Sequence, residues 1–309
     1  MQFLGAQTWM LFPAMDRLWG DVDQQWVDRY HVPASRAEAL SAAAARNRTF
    51  MKEKAAKVEI LGAPTRVSPG DEVSVDVKVT NLTGHKLPTG FAEGRQMWIH
   101  LQAKDKNGKV VWEDGALAPG GALVRTDQTK VYEQEILAEG YDFIDDKAKD
   151  LDKDGVISPE ELEKAQHFHF VLMNKIIKDN RIPPKGYNKA AYQADGAFIV
   201  PAETYADGQY WDTTRYRFTV PAGVKDKIVV TATLKYQAFN REYAEFLRDH
   251  DQEPTQKGGG RARNLPEPFA THNGVSTWGQ TLHTLWKDAG NGQPVSMASA
   301  NRAIRVTNP

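Results

Sequence analysis

Val73, Val75, Val77 and Val79 alternate with Ser74, Asp76 and Lys78. Successive side chains of an extended chain point to opposite faces, so this run puts four β-branched residues on one face and polar groups on the other. That pattern describes an antiparallel strand with one face on a core and the other in water. The same reading makes strands of Gln96 to Ala103 and Lys109 to Trp112, on either side of Asn107-Gly108, a dipeptide that supplies the positive φ angles of a tight hairpin turn. Further strands are expected at Tyr216 to Val220 and Ile228 to Tyr236, separated by Pro221-Ala222-Gly223, and at Ala303 to Val306.

Helical spacing dominates elsewhere. From Phe3 to about Lys57 the pattern is helical, broken near Pro13 and Pro33, with Ser35 and Glu38 spaced as a capping box before the alanine run Ala37 to Ala45. Residues Tyr132 to Ile177 read as acidic and helical, and Asp179 to Asp212 as a loop rich in turn residues. Helices are expected at Arg241 to Asp249 and Thr277 to Asp288, with Gly258, Gly259 and Gly260 in the flexible stretch between them. The architecture that follows is mainly β with helical additions. An N-terminal helical segment, 1–60, precedes an antiparallel β-sandwich, 61–309, which an EF-hand-like helical insertion interrupts at about 138–178.

At 309 residues and 41% hydrophobic content the chain can bury a real core. Its 39 basic and 40 acidic residues are dispersed, which leaves no electrostatic footprint for nucleic acid. There is no cysteine. Disulfides, thiolate metal sites, cysteine nucleophiles and covalent haem attachment through CxxCH are therefore all excluded for this chain. No stretch approaches the roughly 18 apolar residues that span a bilayer. The apolar start MQFLGAQTWMLFPA has no preceding Lys or Arg, so it reads as a helix and not as a signal peptide.

One segment has metal chemistry written into its spacing. Asp150, Asp152 and Asp154 occupy positions one, three and five of a twelve-residue EF-hand-type loop, with Gly155 at the sharp turn and the bidentate Glu161 at position twelve. The Val156 carbonyl and Ser158 complete the oxygen shell, and Ile157 is the expected apolar residue at position eight. A bidentate glutamate suits the larger, seven-coordinate Ca²⁺ better than Mg²⁺. A single such loop points to structural stabilisation of the insertion. The bland alternative is a solvated acidic turn.

Eight histidines occur. His167 and His169, two apart on an expected helix, point away from each other and make poor partners for one metal. His85 lies in the turn-rich run Asn81-Leu82-Thr83-Gly84-His85-Lys86-Leu87-Pro88-Thr89-Gly90, directly after the valine strand. Its ordinary role there would be to hold backbone groups. No HExxH, GxSxG, P-loop or GxGxxG motif appears.

The run NLTGHKLPTGFAEGR, with Trp98 and the hairpin KDKNGKVVWEDG beyond it, resembles the cysteine-free C-terminal region of large multihaem c-type cytochromes. DNRIPPKGY (Asp179 to Tyr187), YADGQYWDTTRY (Tyr205 to Tyr216) and LKYQAFNREYAEFL (Leu234 to Leu247) are similar to the same region in the same order, and FLGAQTWM to the segment after the last haem motifs there. The resemblance implies a periplasmic or extracellular setting and a sandwich that supports electron transfer beside a haem-bearing segment or a separate multihaem cytochrome. It also implies that a histidine outside the CxxCH motifs serves as a distal haem ligand, His85 first and His31 second. Two other readings stand beside it. One is a secreted, calcium-stabilised module for polysaccharide or a cell-surface protein, with Trp98, Trp112, Tyr210 and Trp211 as an aromatic platform. The other is an enzyme centred on His85.

Overall fold

The computed structural model describes residues 42, 45–90, 94–137, 173–250, 278–288 and 290–307. The strands among the described residues are β1 (Ala56–Leu61), β2 (Arg66–Val67), β3 (Glu72–Asn81), β4 (Gln96–Asp105), β5 (Val110–Asp114), β6 (Val131–Tyr132), β7 (Gln134–Leu137), β8 (Lys175–Asp179), β9 (Trp211–Thr219), β10 (Asp226–Gln237) and β11 (Val295–Val306). Helices α1 (Lys189–Ala194), α2 (Arg241–His250) and α3 (Trp278–Asp288) join them, with a π-helical turn at Met51–Ala55. The fold is mainly β, as expected. A three-stranded sheet, β1-β3-β9, faces a larger one ordered β2-β11-β10-β4-β5, with β6 also paired to β4.

The valine strand does what its alternation dictates. Val73, Val75, Val77 and Val79 on β3 are completely buried. Opposite them lie Met97, Ile99 and Leu101 of β4, and Ile228, Val230 and Leu234 of β10, in the same core cluster. Trp112 of β5 reaches into the seam and stacks on Phe218 of β9, with ring centroids 5.1 Å apart. The polar alternates of β3 face outward; Asp76 takes a two-pronged pair from Arg215 of β9 at 2.7 and 2.9 Å.

At the β4–β5 turn Gly108 has φ +83°, whereas Asn107 keeps a negative φ. The connection is therefore longer than the two-residue turn expected. Asp105 explains it, because its side chain accepts the backbone N–H groups of Asn107 and Lys109 at 2.8 and 3.0 Å.

Several elements differ from the sequence expectation. The helical pattern read as running to about Lys57 gives way to β1 at Ala56, which pairs with β3 from Ala56↔Asn81 to Leu61↔Asp76. The stretch read as helical from Tyr132 starts and ends in strands, β7 and β8, which form their own antiparallel ladder. The alternation in Gln134–Leu137 and Lys175–Asp179 is too short to be separated from helical spacing. Strand β11 begins eight residues earlier than expected, at Val295 and not Ala303. Its Ser, Ala and Asn residues carry little β propensity, and pairing along β10 overrides them. Helix α1 lies inside the stretch read as loop, started by the Asn188 side chain accepting the Ala191 N–H at 2.9 Å.

Truncating one core valine tests the facing of the two sheets. Val77→Ala is expected to lower unfolding free energy by about 1–3 kcal/mol, with an unchanged denaturant slope. Ser74→Ala on the outer face of β3 should stay within about 0.5 kcal/mol of the parent. Equal losses in urea titrations of both would show that β3 does not bury its valine face.

Candidate functional site

The turn-rich run after β3 is bound to the loop that follows β8. Asn81 closes β3, and its side-chain amide spreads its N–H groups over three carbonyls: His85 at 2.7 Å, Ile182 at 2.9 Å and Pro183 at 3.0 Å. The Asn81 carbonyl oxygen accepts the Thr83 N–H at 2.8 Å, an Asx turn that curls the chain back toward His85. Leu87 and Ile182 exchange backbone hydrogen bonds of 2.8 and 3.0 Å, and both side chains are completely buried.

At the base of this junction lies Asp179, fully buried at the end of β8. Its carboxylate accepts the Lys86 ammonium at 2.7 Å and two bonds from the Arg181 guanidinium at 2.8 and 2.6 Å. Lys86 also donates to the Phe198 carbonyl at 2.5 Å. Burial pulls the Lys86 amine below its ordinary range, and the Asp179 charge offsets part of that effect. The Asp179 backbone exchanges bonds of 2.9 and 3.0 Å with Val200. The Asp179 carboxylate thus joins Lys86 to Arg181, and the Lys86 bond to Phe198 and the backbone pair with Val200 tie in the stretch around residues 198–200.

A neighbouring polar cluster braces β8 from its other side. Asn180 accepts the Glu133 N–H at 2.9 Å and donates to the Val131 carbonyl at 2.7 Å. The Tyr205 hydroxyl donates to the Asn180 carbonyl at 2.8 Å. Glu133 takes both arms of Arg125 at 3.1 Å and the Lys178 ammonium at 2.7 Å. Burial alone would raise the Glu133 carboxyl, but the charges of Lys178 and Arg125 outweigh it and hold the group below its ordinary 4.5.

The consequence for His85 is an exposed residue on a fixed backbone. Its carbonyl is held by Asn81, its neighbour Lys86 is anchored on Asp179, and the residue itself is exposed. No carboxylate bonds the His85 ring among the described residues. Leu82 and Phe198, on the two loops joined here, are 52% and 43% exposed. The sequence singled out His85 but not its support, although Asn81, Lys86, Asp179, Asn180 and Arg181 all stand inside the quoted motifs.

The other expected site residues are placed as follows. Asp150, Asp152, Asp154, Val156, Ser158 and Glu161 lie outside the described residues, and so does His31. What is described is the ladder that brackets this stretch of sequence: β7 and β8 pair from Gln134↔Asp179 to Leu137↔Lys175, so the chain leaves and re-enters the sandwich through adjacent strands. Among the described residues no group of three or more His, Asp or Glu side chains is placed to hold a metal ion. The four aromatics of the expected platform do not share a face. Trp98 is buried, its indole N–H donating to the Gly115 carbonyl at 2.9 Å, and Trp112 packs between the sheets. Only Tyr210 and Trp211 stay together, with Lys78 lying 4.8 Å over the Trp211 ring. A dyad the sequence did not signal joins His100 Nε2 to Glu113 at 2.7 Å across β4 and β5.

No family model and no curated protein matches the chain. Two solved structures are similar to it. A penta-haem cytochrome c552 from Thermochromatium tepidum aligns at 15% identity with a TM-score of 0.40, over 83% of this chain and 41% of that one. The sporulation control protein Spo0M from Bacillus subtilis aligns at 10% identity with a TM-score of 0.24, over 82% of this chain and 49% of that one. The chain thus spans less than half the length of either, and at these scores neither likeness carries an argument about its chemistry. Among the described residues no helix is long and apolar enough to cross a membrane.

The Glu133 cluster gives the fold a pH dependence. Its carboxyl stays charged to lower pH when folded than when unfolded, so its contribution is complete above about pH 4.5 and lost as pH falls through the folded value. Glu133→Gln is expected to flatten the acid limb of a stability profile taken by urea titration between pH 3 and 6, whereas an unchanged limb would remove Glu133 from the account.

Proposed function

We propose that this chain is a non-catalytic, calcium-stabilised β-sandwich module of a multihaem c-type cytochrome or of its complex, supporting electron transfer in the periplasm or outside the cell. Its partner is a haem-bearing segment or a separate multihaem cytochrome, to which the loop of residues 82–90 presents His85 as an axial ligand. One observation carries the reading. The motifs that resemble the cytochrome region stand far apart in sequence, yet Asn81 bonds across 101 residues to Ile182 and Lys86 across 93 to Asp179. Together they fix the backbone under an exposed imidazole.

The residues fit that role. An axial ligand needs a free imidazole nitrogen and a backbone that does not move with redox state, and His85 combines exposure with a carbonyl tied to Asn81. With no cysteine in the chain, haem would be covalently bound by the partner and not here. When bound, the haem supplies one-electron transfer; the chain's own part is to position a ligand and cover one haem face with Leu82 and Phe198. The Asp150–Glu161 loop, in the insertion between β7 and β8, would hold Ca²⁺. An ion that binds only the folded state stabilises it by RT ln(1 + [Ca²⁺]/Kd), roughly 2.7 kcal/mol at a hundred times Kd.

The polysaccharide reading loses its four-residue platform, because Trp98 is buried and Trp112 is half-buried with its ring stacked on Phe218. An enzyme centred on His85 finds no carboxylate bonded to its ring among the described residues, and Asp179 is committed to Lys86 and Arg181.

Two measurements test the proposal. Chelation is expected to lower the melting temperature of the parent, and Asp152→Ala with Glu161→Gln to abolish that response; a double variant that still responds like the parent would overturn the loop assignment. A ferric haem peptide with one open axial position serves as a probe of His85. Titration with the parent should convert its absorption spectrum to the low-spin, two-histidine form, and His85→Ala should weaken the conversion at least tenfold. Conversion equally strong in the variant would take His85 out of the haem role.

A further inference from the structure

Three asparagines of the chain stand directly before a glycine: Asn107, Asn273 and Asn291. Such a pair carries its own reaction, and asparagine is among the chemically labile residues. The glycine nitrogen attacks the asparagine side-chain carbonyl when the backbone is free to turn toward it, since glycine puts no Cβ in the way. Asn273 lies outside the described residues, and the other two have opposite surroundings.

Asn107 is at the tip of the β4–β5 hairpin, exposed together with Lys106, Gly108 and Lys109. Its bond in the turn is made through the backbone N–H, to the Asp105 carboxylate at 2.8 Å, and not through the side-chain amide. A Cβ placed on Gly108 would meet nothing within 4 Å, so a ring closing between residues 107 and 108 has room. One restraint opposes it. The Gly108 N–H donates to the Asp105 carbonyl at 3.0 Å, while the Asp105 side chain also holds the Lys109 N–H at 3.0 Å.

At Asn291 both conditions are reversed. The residue is half-buried and its N–H is bonded to the Trp286 carbonyl at 3.0 Å. Gly292 is buried, and its carbonyl accepts the Gln237 amide at 2.6 Å. A Cβ placed on Gly292 would collide with Trp286 and stand 2.9 Å from the Gln237 amide nitrogen, which leaves no space for a ring.

We propose that Asn107 is a site of spontaneous deamidation whose rate is set by Asp105. The Gly108 nitrogen loses its proton to water and bonds to the Asn107 Cγ; the Cγ–Nδ2 bond breaks, and ammonia leaves after taking a proton back from solvent. Water then opens the five-membered imide at either carbonyl, to aspartate or to isoaspartate. The net change is one water consumed and one ammonia released, with no oxidant or reductant. Either product puts a new carboxylate between Lys106 and Lys109. Isoaspartate also adds one carbon to the main chain of the turn, which displaces the two N–H groups that Asp105 holds together. The site stands apart from the His85 loop and does not depend on the haem reading.

The test holds the full chain at pH 8 and 37 °C and follows it by peptide mapping with mass spectrometry, beside a synthetic peptide of residues 103–111. The fragment containing Asn107 is expected to gain one dalton and to separate into aspartate and isoaspartate forms, more slowly than the free peptide. The fragment containing Asn291 should keep its mass. Asp105→Ala, checked for folding by circular dichroism, should speed the change at Asn107 at least threefold. An Asn107 that keeps its mass while the free peptide converts completely would overturn the proposal, as would conversion of Asn291 at the same rate. An unchanged rate in Asp105→Ala would overturn the part given to Asp105.

Discussion

A carboxylate with no solvent contact is costly unless cations and hydrogen bonds meet it inside the protein, and Asp179 is such a group. Its two cations, Lys86 and Arg181, come from different loops, and its backbone is paired to Val200 on a third stretch. Satisfying one side chain therefore brings together chain that the sheets alone would leave apart. The apolar core between β3, β4 and β10 accounts for the sandwich. It does not account for where the loops at this end of it sit. The Asp179 cluster, with Asn81 above it and Asn180 and Glu133 beside it, supplies that placement.

The division between core and cluster also separates what could be read in the sequence from what could not. Period-two alternation in β3, β4 and β10 is a local property, fixed by which face each side chain takes, and those strands stand where it put them. The first eight residues of β11 escaped because Ser296, Ala298, Ser299, Ala300 and Asn301 show weak propensity and gain their conformation from β10. Short strands β7 and β8 offered too few alternations to oppose a helical reading. For the site, His85 was visible as an imidazole in a turn-rich run. Its partners were not, since nothing local to Asp179 or Arg181 says that their charges meet Lys86 across the fold. Only the resemblance placed these segments in one group.

Taken with the proposed role, the arrangement separates two tasks. The sandwich supplies a rigid frame, and one end of it holds a loop whose side chain is left for a partner while its backbone is bonded inward. The β7–β8 ladder lets a long insertion leave and return through adjacent strands, a geometry that disturbs neither main sheet. A calcium ion in that insertion would stabilise it locally, far along the chain from the His85 loop.

The central claim is that Asp179 fixes the loop carrying His85, and amide hydrogen exchange reads it most directly. In Asp179→Asn the account predicts faster exchange across residues 83–90 and 180–184, with amides of β10 and β11 as protected as in the parent. Loop amides that keep their parental protection in the variant, or a uniform loosening of loop and sheets together, would contradict it.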